Sequence, residues 1–273
     1  MANSTFFDTV TQPELDLNGQ VLRAPACYYD GTKMTAVFPA RLAALRAALP
    51  DPGFVPARLA PGVGIVGISC FEYRDTDIGA YSELAISIVL RQPYFCINLP
   101  GRALTSGLPR CRFDTWVHQL PVTTEIARAA GADYHSGRKF LASIDFPTDR
   151  GRRSCRLAEG SEHILALSAA TIPTPRSGEL QLFSHRWMDG QPRASEFKIN
   201  AHAMGENLCP GAATLTLGDR HPVARELAGM LLQHHPLCYQ YLARFEGILY
   251  GPEYPAAPLR QRALAAVPTP ECA

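Results

Sequence analysis

Lysine is almost missing from this chain. Lys33, Lys139 and Lys198 are the only three, so 23 of the 26 basic residues are arginine. Arginine holds its proton and serves as fixed charge. Lysine becomes a neutral amine when desolvated or placed beside another cation, and a neutral amine attacks carbonyl carbon. Other absences narrow the function further. No apolar run reaches the roughly 18 residues of a membrane span. Residues 1–20 hold no basic segment followed by an apolar stretch, which argues against a secretory signal. A net charge of +1 leaves no basic footprint for nucleic acid or an anionic membrane.

The eight cysteines contain no C-x-x-C pair, and the chain is too long for a disulfide miniprotein. They read as small buried hydrophobes in a reducing cytosol, which predicts a cytoplasmic protein. His234-His235 near Cys238 lacks a second ligand cluster at zinc spacing and reads as a solvated helix end. G-x-S-x-G, a Walker loop and H-E-x-x-H are all absent. The stretch from Gly62 to Gly67 matches G-x-G-x-x-G, but a Pro-rich loop precedes it and a strand follows, which excludes a dinucleotide site. Four arginines between Arg150 and Arg156 read as a solvated hairpin edge. No metal and no cofactor are expected.

What remains is a core-forming sequence, 47% hydrophobic and 19% charged. Residues 1–32 read as an irregular segment with short extended pieces near Val21 and Tyr28. Pro39 opens a predicted helix carrying Leu42, Leu45, Ala48 and Leu49. Residues 63–73 and 83–90 read as strands, paired antiparallel across a long loop. Further strands are predicted near 111–120, 138–146, 152–158, 163–170, 179–187, 194–203, 212–218 and 238–249, with a hairpin turn at Asp189-Gly190. Short helices are predicted at 123–131 and 221–233. Many strands and few helices predict an α+β, β-dominated domain over residues 33–250, built on an antiparallel barrel or curved sheet. Residues 251–273 read as a loose tail.

Two strands divide their faces alike. In 83–90, Leu84, Ile86, Ile88 and Leu90 oppose Glu83, Ala85, Ser87 and Val89. In 138–146, Phe140, Ala142, Ile144 and Phe146 oppose Lys139, Leu141, Ser143 and Asp145. One face is wholly apolar; the other is smaller, more polar, and carries an ionisable residue near its start. This fits a barrel wall whose second face lines a cavity or meets solvent. In the first case Glu83 and Lys139 share a pocket; in the second they are ordinary surface charges.

The segment from Glu72 to Glu83, which ends Gly79-Ala80-Tyr81-Ser82-Glu83, resembles a stretch of the acetoacetate decarboxylase family that ends G-x-Y-x-E. The segment from Ala130 to Ala142, with Arg138-Lys139-Phe140-Leu141-Ala142 at its end, is similar to that family's active-site stretch ending P-K-K-L-[AG]. Weaker similarity runs through Asp189–Arg193 to Arg244-Phe245-Glu246, so the resemblance covers most of residues 33–250. It implies an acetoacetate decarboxylase-like β-barrel or cone flanked by a few helices, a largely apolar central pocket and a homo-oligomer. It places Lys139 on the Schiff-base lysine and Glu83 on the glutamate near the reacting carbon. There are departures. The family's second lysine is Phe140 here, the preceding proline is Arg138, and a second glutamate is Ile68. Glu72 lies roughly 13 Å further along the strand than Ile68. The substrate-carboxylate arginine falls on Gly31, with Lys33 nearby.

An ordinary lysine is neutral only about once in 2,500 at pH 7, so an imine-forming amine needs desolvation or a neighbouring cation. Without the second lysine, apolar burial has to supply most of that effect. An imine at Lys139 could drive decarboxylation of a β-keto acid. It could also form an enamine for aldol addition and dehydration, with Glu83 as acid–base catalyst. Relatives that lack the second lysine are associated with the aldolase–dehydratase route. Ile68, Tyr81, Tyr134, His135, Arg138, Phe140 and Tyr250 are the candidate substrate-binding residues. The expectation is a Schiff-base lyase acting on a small-molecule keto acid. The alternative is a non-catalytic small-molecule-binding protein on the same barrel. A Lys139 that is ion-paired to Glu83, or that points into bulk water, would favour the alternative.

Overall fold

Side chains that alternate between two environments require a wall with two faces, and seven strands close to form one. The computed structural model describes residues 5–17, 20–51, 53–91, 110–130, 138–188, 190–209, 211–252 and 254–255. A hairpin of β1 (Glu14–Leu17) and β2 (Gln20–Arg23) leads into β3 (Ala26–Arg41), helix α1 (Leu42–Ala48) and β4 (Arg58–Ala60). There follow β5 (Val63–Thr76), β6 (Tyr81–Val89), β7 (Arg110–Gln119) and α2 (Glu125–Ala129). Next come β8 (Ser143–Asp145), β9 (Thr148–Asp149), β10 (Arg152–Glu159), β11 (Glu162–Ala170), β12 (Arg176–Met188) and β13 (Gln191–Asn207). The chain continues through β14 (Ala213–Leu217), α3 (Pro222–Met230), β15 (Cys238–Leu249) and β16 (Tyr254–Pro255).

The barrel runs β12-β7-β6-β5-β3-β15-β13 and closes because β13 pairs with β12. Every neighbouring pair is antiparallel except β7–β12, which is parallel, so the barrel is mixed. A parallel pair needs a long crossover. Here the crossover carries β8, β10 and β11 of a second, smaller sheet, β14-β11-β10-β8, which β14 joins from the connection between β13 and β15. That sheet and helices α1 and α3 cover one side of the barrel. Met34, Ala36 and Phe38 of β3, Val66, Ile68 and Cys70 of β5, and Leu84, Ile86 and Ile88 of β6 point outward. They are buried against Ile144, Leu157, Leu165, Leu167, Leu215, Leu227 and Met230. Residues of opposite parity on the same strands point into the barrel and line a cavity. The expected division of faces in 83–90 therefore describes the two sides of β6.

Several expectations need correction. The N-terminal segment is not irregular throughout, because β3 begins at Ala26 and runs 16 residues. Pro39 lies within that strand, opposite Ile65, and the helix starts only at Leu42. The β5–β6 connection is a tight turn, with Gly79 at φ 86, because both strands run longer than their apolar cores. Residues 138–142 form no regular strand. They lie extended beside residues 120–122, where Phe140 O accepts from Val122 N and Ala142 N donates to Val122 O. Only Ser143–Asp145 is strand. Of the arginines at 150–156, Arg153 is not at a solvated edge: it pairs with Glu72 and ties the second sheet to the barrel. Cys27, Cys70, Cys155 and Cys238 are free and buried, and Cys209 is free and exposed. No helix among the described residues is long and apolar enough to cross a membrane.

Ile68 and Ser87 sit on opposite sides of the same wall, and they test it. Ile68→Ala should cost about 2–5 kcal/mol of unfolding free energy by chemical denaturation. Ser87→Ala on the cavity side should stay within about 0.5 kcal/mol.

Candidate active site

The cavity inside the barrel has a volume of about 170 Å³. Its lining is mostly apolar and aromatic, including Phe71, Tyr73, Phe113, Val117, Leu182 and Phe197. Four ionisable side chains of opposite kinds interrupt it: Lys33, Glu83, Lys139 and Arg186. Glu83 stands near the start of β6 and reaches inward because Leu84 and Ile86 on the other parity are anchored in the core. Lys139 arrives from the extended segment beside residues 120–122. Phe140 and Ala142, on the other side of that segment, pack against the main core and hold it in place.

The two side chains meet. Lys139 Nζ lies 3.0 Å from Glu83 Oε2, with side chains only 9% and 11% exposed. Lys139 also donates to the Ala127 carbonyl of α2 at 3.3 Å. The other oxygen of Glu83 accepts from the Tyr73 hydroxyl at 3.4 Å. Burial, and then the charge of Glu83, push the Tyr73 phenol well above its ordinary pKa, so it remains a donor. Tyr81 is not on the cavity surface. Its hydroxyl lies 3.1 Å from that of Tyr28, which does line the cavity. An amine, a carboxylate and a phenol therefore form one hydrogen-bonded row at the edge of a largely apolar space.

Lys33 is the second cavity amine. It stands opposite Phe71, which stands opposite Glu83, on three adjacent strands in register. Its ammonium lies 5.7 Å from the Phe71 ring centroid and makes no ion pair among the described residues. Burial lowers its pKa to about 8, against a weaker opposing pull from Glu206. Gly31, two residues earlier, has no room for a side chain: a Cβ there would sit 2.9 Å from Phe245 Cζ. The basic group of this strand therefore enters the cavity at Lys33.

The remaining sequence-derived candidates lie elsewhere. Ile68 points outward into the core, so it cannot meet a cavity ligand. Phe140 packs in that core and stacks on His221 at 6.4 Å. Arg138 is exposed. Tyr250 lies under Lys198, 4.9 Å from Nζ to ring centroid, in a separate cleft. Tyr134 and His135 lie outside the described residues. Glu72 is committed to Arg153 and Thr32 and faces away from the cavity. The periodicity missed Lys33, Tyr73 and Arg186. Lys33 had a signal, since Lys33, Thr35 and Val37 alternate with Met34, Ala36 and Phe38. Arg186 had none among so many arginines. No group of three or more His, Cys, Asp or Glu among the described residues could hold a metal ion.

Because the folded pKa of Lys33 lies below its unfolded value, its burial penalty is full below about pH 8. The penalty is relieved as pH rises toward the unfolded pKa near 10.4. The wild type should therefore gain stability relative to Lys33→Met between about pH 8 and pH 10, measured by denaturation at matched ionic strength.

No known family profile matches the sequence, and no curated protein matches it either. Solved structures do match. Acetoacetate decarboxylase from Legionella pneumophila superposes with a TM-score of 0.58 at 15% identity, covering 84% of this chain and 86% of that one. An acetoacetate decarboxylase-like enzyme from Sphingomonas wittichii RW1 matches with a TM-score of 0.53 at 16% identity, over 87% of this chain and 96% of that one. The enduracididine biosynthesis enzyme MppR, bound to the condensation product of pyruvate and imidazole 4-carboxaldehyde, matches with a TM-score of 0.53 at 14% identity, over 83% and 88%. With the seven-stranded closure and the inward-facing cavity, these likenesses show that the chain has the acetoacetate decarboxylase-like fold.

Proposed function

We propose that the protein is a Schiff-base lyase that condenses a small keto acid with a second carbonyl compound by aldol addition and dehydration. The observation that carries this reading is the Lys139–Glu83 pair, 3.0 Å apart and almost wholly withdrawn from solvent on a cavity wall. An ammonium is no nucleophile. A carboxylate at hydrogen-bond distance in a low-dielectric site is placed to take its proton. The freed amine of Lys139 adds to the ketone carbon. Glu83 then returns the proton to the carbinolamine hydroxyl, which leaves as water, and an iminium remains. Glu83, again a carboxylate, removes the proton from the adjacent carbon to give the enamine. The enamine carbon attacks the second carbonyl, and loss of water leaves a conjugated product that hydrolysis releases from Lys139. Overall, one keto acid and one aldehyde give an unsaturated keto acid and water.

One comparison supports this route over decarboxylation. The MppR complex with a pyruvate–aldehyde condensation product is a relative by fold that binds the kind of compound this route makes.

A second reading has its own observation. Lys139 is ion-paired to Glu83, the arrangement expected from the sequence to favour a small-molecule-binding protein that kept the barrel without the chemistry. Borohydride reduction in the presence of pyruvate or a longer keto acid, followed by peptide mapping, separates the two. The lyase reading expects a reduced adduct on Lys139 that is absent in Lys139→Ala. It expects trapping to be slowed at least about a hundredfold in Glu83→Gln, in line with loss of a general acid–base group. Binding without any adduct would support the non-catalytic reading. Release of carbon dioxide in place of a conjugated product would overturn the aldol route.

A further inference from the structure

Arg186 is a buried cation that the condensation chemistry does not use. It projects from β12 onto the cavity, 8% exposed. Nη2 donates to Ser184 Oγ at 3.1 Å, and Ser184 also lines the cavity. Nε and Nη1 are closed to solvent and meet no acceptor. Other buried charges of the barrel are paired, Glu83 with Lys139 and Asp114 with Arg112 and His185, whereas Lys33 shares with Arg186 the lack of an ion-pair partner among the described residues. Among the described residues Arg186 has no carboxylate partner. Burial lowers its pKa to about 10, and no opposing charge offsets that effect, yet the group stays protonated at neutral pH.

An uncompensated guanidinium in a dry site costs several kcal/mol, and a protein that keeps one needs a counter-charge from elsewhere. The planar fork of arginine fits a carboxylate with two parallel hydrogen bonds, which an ammonium cannot match. The rest of the wall adds to the demand. Its ionisable groups are three cations and one carboxylate, and that carboxylate is already taken by Lys139. Such a space attracts an anion.

Position separates this demand from the reacting amine. His185 pairs with Trp116, which pairs with Ile88, so Arg186 enters near the Ser87–Val89 end of β6. Glu83 and Lys139 meet near the other end. Four residues separate Glu83 from Ser87, roughly 13 Å of strand.

We propose that Arg186, with Ser184 beside it, forms an anion subsite that holds a ligand carboxylate away from the Lys139–Glu83 centre. The ligand is then a keto acid whose carboxylate stands several bonds from its carbonyl. Each idle nitrogen shares an edge of the guanidinium with Nη2, which has a second proton beside the one given to Ser184, so a turn about the last side-chain bonds presents a two-donor edge to the carboxylate. The substrate class rests on the keto-acid reading above; the subsite itself does not.

Hexanoate tests the subsite without the chemistry, because it carries a carboxylate on an apolar chain and has no carbonyl to trap. Titration calorimetry on the full chain should show hexanoate binding and hexanamide binding at least tenfold more weakly. Arg186→Gln should weaken hexanoate about ten- to a hundredfold, as expected for loss of a charge-assisted pair. Arg186→Lys, which keeps a cation but not the fork, should fall between. In the ligand-free protein Arg186→Gln should melt at a higher temperature than wild type, since it removes an unpaired buried charge. An arginine with a merely structural role would lower it. Equal hexanoate affinity in wild type and Arg186→Gln, or tighter binding of hexanamide, would overturn the subsite. Failure of trapping at Lys139 alongside Arg186-dependent hexanoate binding would leave the subsite standing and remove the lyase reading instead.

Discussion

An ammonium and a carboxylate facing each other across 3.0 Å inside a barrel are the contact on which the account depends. Neither charge would be stable there alone, because a buried ion without a partner is expensive. Together they are tolerable, and the shared hydrogen bond makes proton exchange between them a short step. On the proposed reading, the same contact reconciles two demands on a reactive lysine. It must be held in one place while the cavity is empty, and it must lose its proton when a carbonyl arrives. A carboxylate partner meets the first demand as a tether and the second as a base.

The barrel exists to place that contact, and its construction explains why few residues can move without consequence. Strands β3, β5 and β6 are fixed from outside by the second sheet and the helices, so their inward side chains inherit defined positions. Lys139 is fixed differently. Its segment is not part of any ladder of length, and it is held by backbone bonds to residues 120–122 and by the packing of Phe140 and Ala142. The Lys139 amine therefore sits on a shorter, more locally supported element than the Glu83 carboxylate.

Part of this was legible in the chain. The alternation in 83–90 revealed both faces of a wall, because one side is wholly buried and tolerates only apolar residues. The likeness of two short stretches to one family led to Lys139 and Glu83, and the fold agrees. The misreadings have local causes. Pro39 resembles a helix start, yet its missing N–H costs nothing in a strand where its carbonyl still accepts from Leu232 N. Residues 138–146 look like a strand in composition, but only three of them have a neighbour on which to build a ladder. Lys33 was hidden by a stretch that reads as irregular through Gly31. That glycine is there because Phe245 fills the space a side chain would need. Arg186 could not be singled out, since its burial follows from barrel closure between β7 and β13, a non-local event with no trace in nearby residues.

The scarcity of lysine makes the central contact directly observable. Labelling lysine side chains with nitrogen-15 gives a spectrum with three side-chain signals, one per lysine. If Lys139 is bound to Glu83 within the cavity, its signal should show slow proton exchange with water, and Glu83→Gln should shift that signal and speed its exchange. The Lys198 signal should stay where it was. A Lys139 resonance that exchanges freely in the wild type and ignores the Glu83 substitution would contradict the account at its base.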